Sequence, residues 1–510
     1  MLQLHQRFIQ AAKKFSGKIA VYDKATNNDY TYGKMLIASL ILKAYISHIK
    51  GKYVGILLPT SMGAMLAVLG TLMNGKIPVM INYSTGALDN SRYAREKCGF
   101  KTILTSQKLL EKLNLQPIDH MIFLEDILAN VNIVAKLKAA LVSKLPFAVL
   151  KGMVHSGSID EVSVILFTSG SEKEPRAVQL THKNILHNVD AIPTLVVLDQ
   201  DDVFMCILPM FHVFGLTIVF WLPALIGASM VTYPNPLEYK TVSELCREYK
   251  ATFMAATPAF FYGYLQKSQP GDFSSMRFAI AGADKLPDKV NDGFLKKHGI
   301  PIFEGYGTTE TSPVISSNYP GAHKMGSIGK PLPGVQIRIV DINTDKILGP
   351  NQQGKILVKG DMVMAGYLGD MEETSLRIHN GWYDTGDIGM FDEDGFYWHK
   401  GRLKRFVKVG GEMVSLVKVE ELLSRLLPEN VICCVVDVPN QIKGADVVAA
   451  VATGDFDQHK ILKALKKELP AIAVPRQFYV IDDIPMMASG KVNFREVEKI
   501  CRDKNNNGEK

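Results

Sequence analysis

Apolar positions in this chain fall into two rhythms. Short continuous runs alternate with longer stretches in which apolar residues return every three or four places. Tyr53 to Leu58 reads as a buried strand, Pro59 to Ser61 as a turn and helix cap, Met62 to Asn74 as an apolar helix closed by Gly75, and Ile77 to Ile81 as a second strand. This is a βαβ unit. The alternation continues with strands at Lys101 to Thr105 and Val162 to Phe167, and a helix over Leu180 to Asp190 opened by Thr181. Further strands are expected at Val203 to Leu208, Met230 to Tyr233, Phe253 to Ala256 and Phe278 to Gly282. Repeated units of this kind predict an α/β architecture with mostly parallel sheets covered on both faces.

From Val335 the texture changes. The short strands "VQIRIVD", "GKILVKG" and "GFYWHKG", separated by Gly, Asn and Asp turns, predict a β-rich subdomain. A small α+β pattern follows: helix Val417 to Leu427, strands Val431 to Val438 and Val447 to Thr453, helix Gln458 to Glu468. We therefore expect a large N-terminal domain over residues 1–402, with its β-rich part at about 325–400, and a small C-terminal domain over 403–510.

Three further patterns bear on location. The N-terminal segment spaces Leu4, Phe8, Ile9, Ala12 and Phe15 as an amphipathic helix and lacks the continuous apolar run of a signal peptide. Val203 to Leu237 carries no Asp, Glu, Lys or Arg, but Pro209, His212, Gly215, Pro223 and Gly227 break it, which favours a strand, a loop and a buried helix over a membrane span. Between Asp126 and Asp160 there is no acidic residue, while Lys136, Lys138, Lys144 and Lys151 punctuate a helix with Ile133, Leu137, Leu141 and Leu145 on one face. That helix fits a membrane surface or the surface of its own domain. His155 to Asp160 matches an acyltransferase H-x-x-x-x-D string, with only two fixed positions, and is read as chance.

Composition narrows the class. With 510 residues, 47% hydrophobic and 21% charged, the chain is globular material with room for more than one core. Its net charge of +7 is modest for the length and lacks the continuous basic footprint of a nucleic-acid protein. Six cysteines without C-x-x-C spacing indicate neither a zinc cluster nor a disulfide scaffold, so a cytoplasmic setting is expected, with a peripheral position on the inner face of the cell membrane as an option.

The candidate chemistry begins where the Val162 to Phe167 strand empties into Thr168, Ser169, Gly170 and Ser171, small residues of the kind that wrap a phosphate. No Walker A string is present. Downstream stand "EGYGTTETSP" at Glu304 to Pro313, "GWYDTGDIG" at Gly381 to Gly389, "GRLKRFVKVGGE" at Gly401 to Glu412 and "ASGKVNF" at Ala488 to Phe494, with "LPMFHVFGL", "AGADKLP", "GSIGKPLPG" and "MVMAGYL" supporting them. In this order and at these separations, the set resembles the adenylate-forming superfamily of acyl-CoA synthetases, peptide-synthetase adenylation domains and luciferases, over nearly the whole chain.

That resemblance implies an AMP-forming acid–thiol ligase using ATP and Mg²⁺. A carboxylate is a poor electrophile for a thiol, so it is first joined to AMP with loss of pyrophosphate. The resemblance implies that Thr168, Ser169, Gly170 and Ser171 hold the outgoing phosphates. Tyr306 lies against adenine, with Gly305, Gly307 and Thr308 beside it and Gly282 and Ala283 on the nucleotide side. Thr309 reaches the α-phosphate, Glu310 holds the metal, and Asp387 with Arg402 binds the ribose. Lys491 bridges carboxylate and α-phosphate, the C-terminal domain swings about a hinge at Lys404, and His212 is a substrate-side candidate.

Finer text, above all "KRFVKVGGEMVSL", resembles bacterial acyl-acyl-carrier-protein synthetases and the synthetase half of 2-acylglycerophosphoethanolamine acyltransferase. This implies a medium- or long-chain fatty acid and, as thiol donor, the phosphopantetheine of acyl carrier protein. Lys400, Arg402, Lys404, Arg405 and Lys408 would steer such an acidic partner. Coenzyme A ligation by the same two steps is the alternative. A second alternative, an acyl-binding protein that forms no adenylate, is raised by one departure: where relatives continue their phosphate loop with glycine, proline, lysine and glycine, this chain has Lys173, Pro175, Arg176 and Ala177. The uncharged Val203 to Leu237 stretch and Phe253 to Leu265 are expected to line an acyl tunnel.

Overall fold

The computed structural model describes residues 1–168, 175–409, 412–428, 431–440, 443–452, 455–486 and 492–506, leaving aside the side chains of Lys404, Met413 and Asn506. The described residues fall into two compact units. One comprises Met1–Thr168, Pro175–Ile337 and Val358–Tyr383, and the other Arg338–Leu357 and residues from Asp384 onward.

The first unit is built on two sheets. In a nine-stranded sheet, five strands run parallel at the centre: Ile19–Asp23, Ser229–Thr232, Val203–Cys206, Phe253–Ala256 and Phe278–Ala281, with Ile302–Gly307 extending them. Antiparallel strands close its margins, Asn28–Thr31 at one side and Val314–Ser317 with Lys330–Pro331 at the other. A seven-stranded sheet has Ile77–Met80, Tyr53–Ile56, Ile103–Thr105 and Met121–Phe123 in parallel, then Val162–Phe167. Central strands such as Ile77–Met80 and Phe253–Ala256 are buried along their whole length, which is why they read as unbroken apolar runs.

Local signals fix the helices. Ser61 caps Met62–Met73 by accepting the Ala64 N–H, and Gly75 takes a left-handed φ of 67° after it. Leu4–Lys14 buries Leu4, Phe8, Ile9 and Ala12 as the spacing predicts. The stretch after Val203 breaks up at its prolines and glycines into the strand Val203–Cys206, a π-helix Gly215–Trp221, the helix Leu222–Ile226 and the strand Ser229–Thr232. No helix among the described residues is long and apolar enough to cross a membrane.

One expected element is different. Thr181 does cap a helix, accepting the Asn184 N–H, but the helix is His182–Leu195 and the preceding Ala177–Thr181 is a strand antiparallel to Val162–Phe167. Ala177, Val178 and Leu180 are buried there, and a run ending on its own cap residue has no room to show a strand's period.

In the second unit, Cys433–Asn440, Gly444–Val451 and Gln477–Val480 form a three-stranded sheet. Helices Leu416–Leu426 and Gln458–Glu468 cover one face through Leu423, Leu465 and Val435; Phe494–Asn506 covers the other through Val497 and Cys501 against Val436 and Val448. Alternate strand residues thus serve two cores, the expected small α+β arrangement.

Candidate functional site

In the first unit, the Val162–Phe167 and Ala177–Thr181 strands lead into and out of the segment expected to hold phosphate. Thr168 N donates to Arg176 O at 3.0 Å, and Arg176 N donates to Thr168 Oγ1 at 3.1 Å, so the two ends are clasped. Ser169, Gly170 and Ser171 lie outside the described residues, as does Lys491.

The strand Ile302–Gly307 delivers Gly305, Tyr306 and Gly307 and then turns sharply. Gly307 is obligatory in this turn, because a Cβ there would stand 1.8 Å from Pro313 O. Thr308 N donates to Pro313 O at 3.1 Å and to Thr311 Oγ1 at 3.0 Å, and Thr309–Thr311 forms one turn of 3₁₀ helix. Tyr306 and Thr309 are half-buried, and Glu310 is buried. Gly282 and Ala283 follow the neighbouring strand Phe278–Ala281, with Ala283 in the left-handed region at φ 75° and Gly282 within 3.0 Å of the Phe214 ring at its missing Cβ.

Glu310 does not stand alone. The Tyr367 hydroxyl donates to its Oε1 at 2.9 Å, and Met364 N donates to its carbonyl at 2.8 Å. Burial, and then the Glu310 carboxylate beside it, push the Tyr367 phenol up, so it stays a neutral donor. Tyr367 is positioned by the short strand Gly366–Tyr367, which pairs with Ala177–Thr181. The same pairing brings its ring under Arg176, whose guanidinium carbon is 5.3 Å from the ring centroid. Arg176 reaches Glu373 at 2.8 Å, and Arg377 Nε meets the same carboxylate oxygen at 3.0 Å. Glu373 sits in the first turn of the helix Met371–Arg377, capped by Asp370. Sequence reasoning singled out Arg176 and Glu310; it counted "MVMAGYL", which contains Tyr367, among the supporting strings without giving Tyr367 a role, and it did not single out Glu373.

Beneath the turn, Glu304 is buried and accepts the Leu286 N–H at 2.9 Å. Burial raises its carboxyl to about 7 despite that bond.

His212 is half-buried, its ring 4.5 Å from that of Phe211, and its carbonyl accepts Leu216 N at the entry to the π-helix. At its first residue the backbone packs closely, since a Cβ on Gly215 would lie 2.1 Å from Pro209 O, a contact that periodicity cannot reveal. The stretch Phe253 to Leu265, expected to line a tunnel, is largely buried and densely packed. Phe260, Phe261 and Tyr264 are fully buried, Phe261 meets Phe294 edge-on at 5.5 Å, and Tyr264 donates to Pro236 O at 2.9 Å.

In the second unit, Asp387 pairs in register with Arg402 across antiparallel strands. Its Oδ1 is 3.5 Å from Arg402 Nε and 3.6 Å from His399 Nε2, and its side chain is nearly inaccessible while Arg402 remains exposed. His399 was not foreseen. Lys404 lies in a 3₁₀ turn, Leu403–Arg405. Arg405 is not part of a surface cluster: its guanidinium donates to Val435 O and Glu420 and lies 4.0 Å from the Phe494 ring centroid. The expected basic face is smaller by that residue.

His155 pairs with Glu161 at 2.7 Å, while Asp160 accepts from Ser158, so the H-x-x-x-x-D string forms no acid–base pair. His155 also belongs to a group with His5 and His182. Burial lowers His5 to about 4 and holds His182 well below the usual histidine range.

The sequence profile of the AMP-binding enzyme family matches residues 8–368, and that of the AMP-binding enzyme C-terminal domain matches 418–491. This chain belongs to the AMP-binding enzyme family. It is 32% identical over 349 residues to a long-chain-fatty-acid–CoA ligase of Bacillus subtilis, a match covering 66% of this chain and 61% of that protein. It is 27% identical to 4-coumarate-CoA ligase 1 of Narcissus pseudonarcissus over 97% of this chain and 93% of that one. Among solved structures, ATP-bound MatB from Rhodopseudomonas palustris superposes with a TM-score of 0.84 at 23% identity, covering 98% of this chain and 99% of that one. The likeness establishes the shared adenylate-forming fold.

Proposed function

We propose that this protein activates a fatty acid with ATP, forming an acyl-adenylate, and then transfers the acyl group to the thiol of coenzyme A. The observation that carries this reading is the Gly305 to Glu310 segment, where a glycine-permitted turn holds a buried carboxylate in place through Tyr367. In this reading Tyr306 lies against the adenine, Thr309 contacts the α-phosphate, and Asp387 with Arg402 holds the ribose. Thr168, Ser169, Gly170 and Ser171 receive the pyrophosphate, and Lys491 offsets the negative charge between carboxylate and α-phosphate. The division at 402/403 and a hinge at Lys404 are part of the same proposal.

The donor set suits Mg²⁺ brought in with nucleotide phosphates. Among the described residues no group of three His, Cys, Asp or Glu side chains could cage a metal, and Glu310 offers one oriented carboxylate. When bound, the ion neutralises phosphate charge; the chain's own part is to hold Glu310 still.

Coenzyme A is favoured as acceptor because the similar proteins named above are coenzyme A ligases. Carrier protein is the second reading, supported by "KRFVKVGGEMVSL" and by the exposed Arg402 and Lys408. The deciding experiment supplies purified enzyme with fatty acid, ATP and Mg²⁺ plus either coenzyme A or pantetheinylated carrier protein. Thioester formed only on carrier protein would overturn the first reading. Absence of fatty-acid-dependent pyrophosphate exchange at every chain length would overturn both and leave an acyl-binding protein. A fatty-acid substrate partitions into bilayers, and a peripheral position at the inner face of the cell membrane belongs to this proposal.

A further inference from the structure

The helix Ile133–Lys144 is built inside out. A helix lying on a globular unit ordinarily turns its large apolar residues inward and its charged residues outward. Here Ile133, Val134, Leu137 and Leu141 are 67%, 68%, 58% and 71% exposed, and Ala139 is the one buried residue of the helix. At 3.6 residues per turn, the four exposed side chains fall within a stripe about 100° wide, and Ala139 lies on the opposite side. The helix is nevertheless firmly held. It packs on the helix Tyr32–Ile46, Asn132 caps its start by accepting the Ala135 N–H, and Lys13 Nζ donates to the carbonyls of Ser143 and Lys144 at 3.1 Å each.

The charges around the stripe are of one sign. On the same helical projection Lys136 and Lys138 flank its two edges and Lys144 lies at its C-terminal end. All three are exposed, and no acidic residue occurs between Asp126 and Asp160. Beyond a short turn, the helix Phe147–Gly152 and the residue after it add the exposed Val149 and Met153, with Lys151 half-buried. An apolar stripe bordered only by lysines is complementary to a surface that is apolar in its depth and anionic at its rim.

We infer that this face docks on an anionic lipid bilayer, Ile133, Val134, Leu137 and Leu141 entering the headgroup–acyl boundary while Lys136, Lys138 and Lys144 meet lipid phosphates. Small Ala139 against the protein lets the helix sit close to its support, and the large residues are left for the bilayer. This deepens the peripheral reading given above, and its test is independent of catalysis. The Glu310 segment and the lipid-facing helix thereby lie on the same unit of the protein.

The full chain is floated with vesicles of phosphatidylcholine alone and with vesicles containing roughly one-third phosphatidylglycerol, at low and high salt. We expect flotation with the anionic vesicles, weakened by salt and at least about tenfold weaker with neutral ones. Lys136→Gln with Lys138→Gln should weaken binding about fivefold for each charge removed. Leu137→Ser with Leu141→Ser should abolish flotation with an unchanged circular-dichroism melt. Equal flotation of wild type and both variants would overturn the proposal, as would no flotation with either vesicle. So would a wild-type dimer, seen by light scattering, that the leucine variant converts to monomer without any vesicle binding, because the occupant of the face would then be a second copy of the chain.

Discussion

Basic side chains are treated in opposite ways at two places in the first unit. Arg176 is drawn down between the Glu373 carboxylate and the Tyr367 ring, through which it reaches Glu310. The lysines of the Ile133–Lys144 helix stand in solvent beside an exposed apolar stripe. In the first place charge fixes geometry, since a planar guanidinium against a carboxylate and a ring has few alternatives. In the second it acts at a distance and tolerates any geometry. Arg176 keeps a positive charge where relatives have lysine, and that charge is engaged within the unit by Glu373 and Tyr367.

The comparison breaks most visibly at Glu310. Glu310→Gln keeps the shape but removes the charge, and pyrophosphate exchange should fall by about 10²–10³-fold. Tyr367→Phe leaves that carboxylate without its phenolic donor, and a tenfold fall in kcat with little change in KM for the acid is expected. Next come Arg176 and Glu373. Arg176→Ala should slow exchange about 10–100-fold and destabilise the fold by about 1–3 kcal/mol. Arg176→Lys retains the ion pair and loses the planar stack, so it should stay within about fivefold of wild type. Exchange rates for the Arg176→Ala and Glu373→Gln variants, alone and combined, test whether the two act as a unit. Additive losses would show that the ion pair is incidental.

Much of this was legible in the sequence, for a physical reason. Strands buried on both faces, such as Ile77–Met80, must be continuously apolar, and caps such as Ser61 need particular side chains, so both leave local signatures. Glu310, Asp387 and Arg402 were singled out as candidates because their motifs are local too. The string "MVMAGYL" contains Tyr367 but gives it no role, and Glu373 was not singled out, since a contact made by strand pairing is not written in a residue's own neighbours. The strand Ala177–Thr181 was hidden by the helix cap at its end. The close backbone contact at Gly215, where the π-helix begins, likewise leaves no mark in the apolar periodicity. Arg405 was misjudged as surface charge because Glu420 and Val435 lie far along the chain.

Burial also holds groups neutral, a third treatment of charge that gives stability a pH dependence of both signs. Glu304 has its folded value raised from 4.5 to about 7, so the folded state keeps a proton the unfolded chain has lost. Its contribution is full below 4.5 and disappears as pH rises through 7. Glu304→Gln should therefore gain on wild type across that window, by on the order of 2–3 kcal/mol. His5 has its value lowered from 6.5 to about 4, so the unfolded chain takes up a proton first. Its contribution is present above 6.5 and falls away as pH drops toward 4. Urea midpoints measured across this range for wild type, Glu304→Gln and His5→Gln check both signs.

The smallest effects are expected where the comparison is sharpest, on the two sides of the Ile133–Lys144 helix. Leu141→Ser removes a large apolar side chain, yet that side chain is 71% exposed, so stability should change by less than about 0.5 kcal/mol. Ala139→Leu adds an apolar side chain, which hydropathy alone would score as favourable. Ala139 is 7% exposed against the body of the unit, however, and overfilling that contact should cost about 1–3 kcal/mol. Thermal or urea unfolding of the two variants gives the ranking directly. The reverse order would mean that the large residues of this helix belong inward, and that its outward stripe has no docking role.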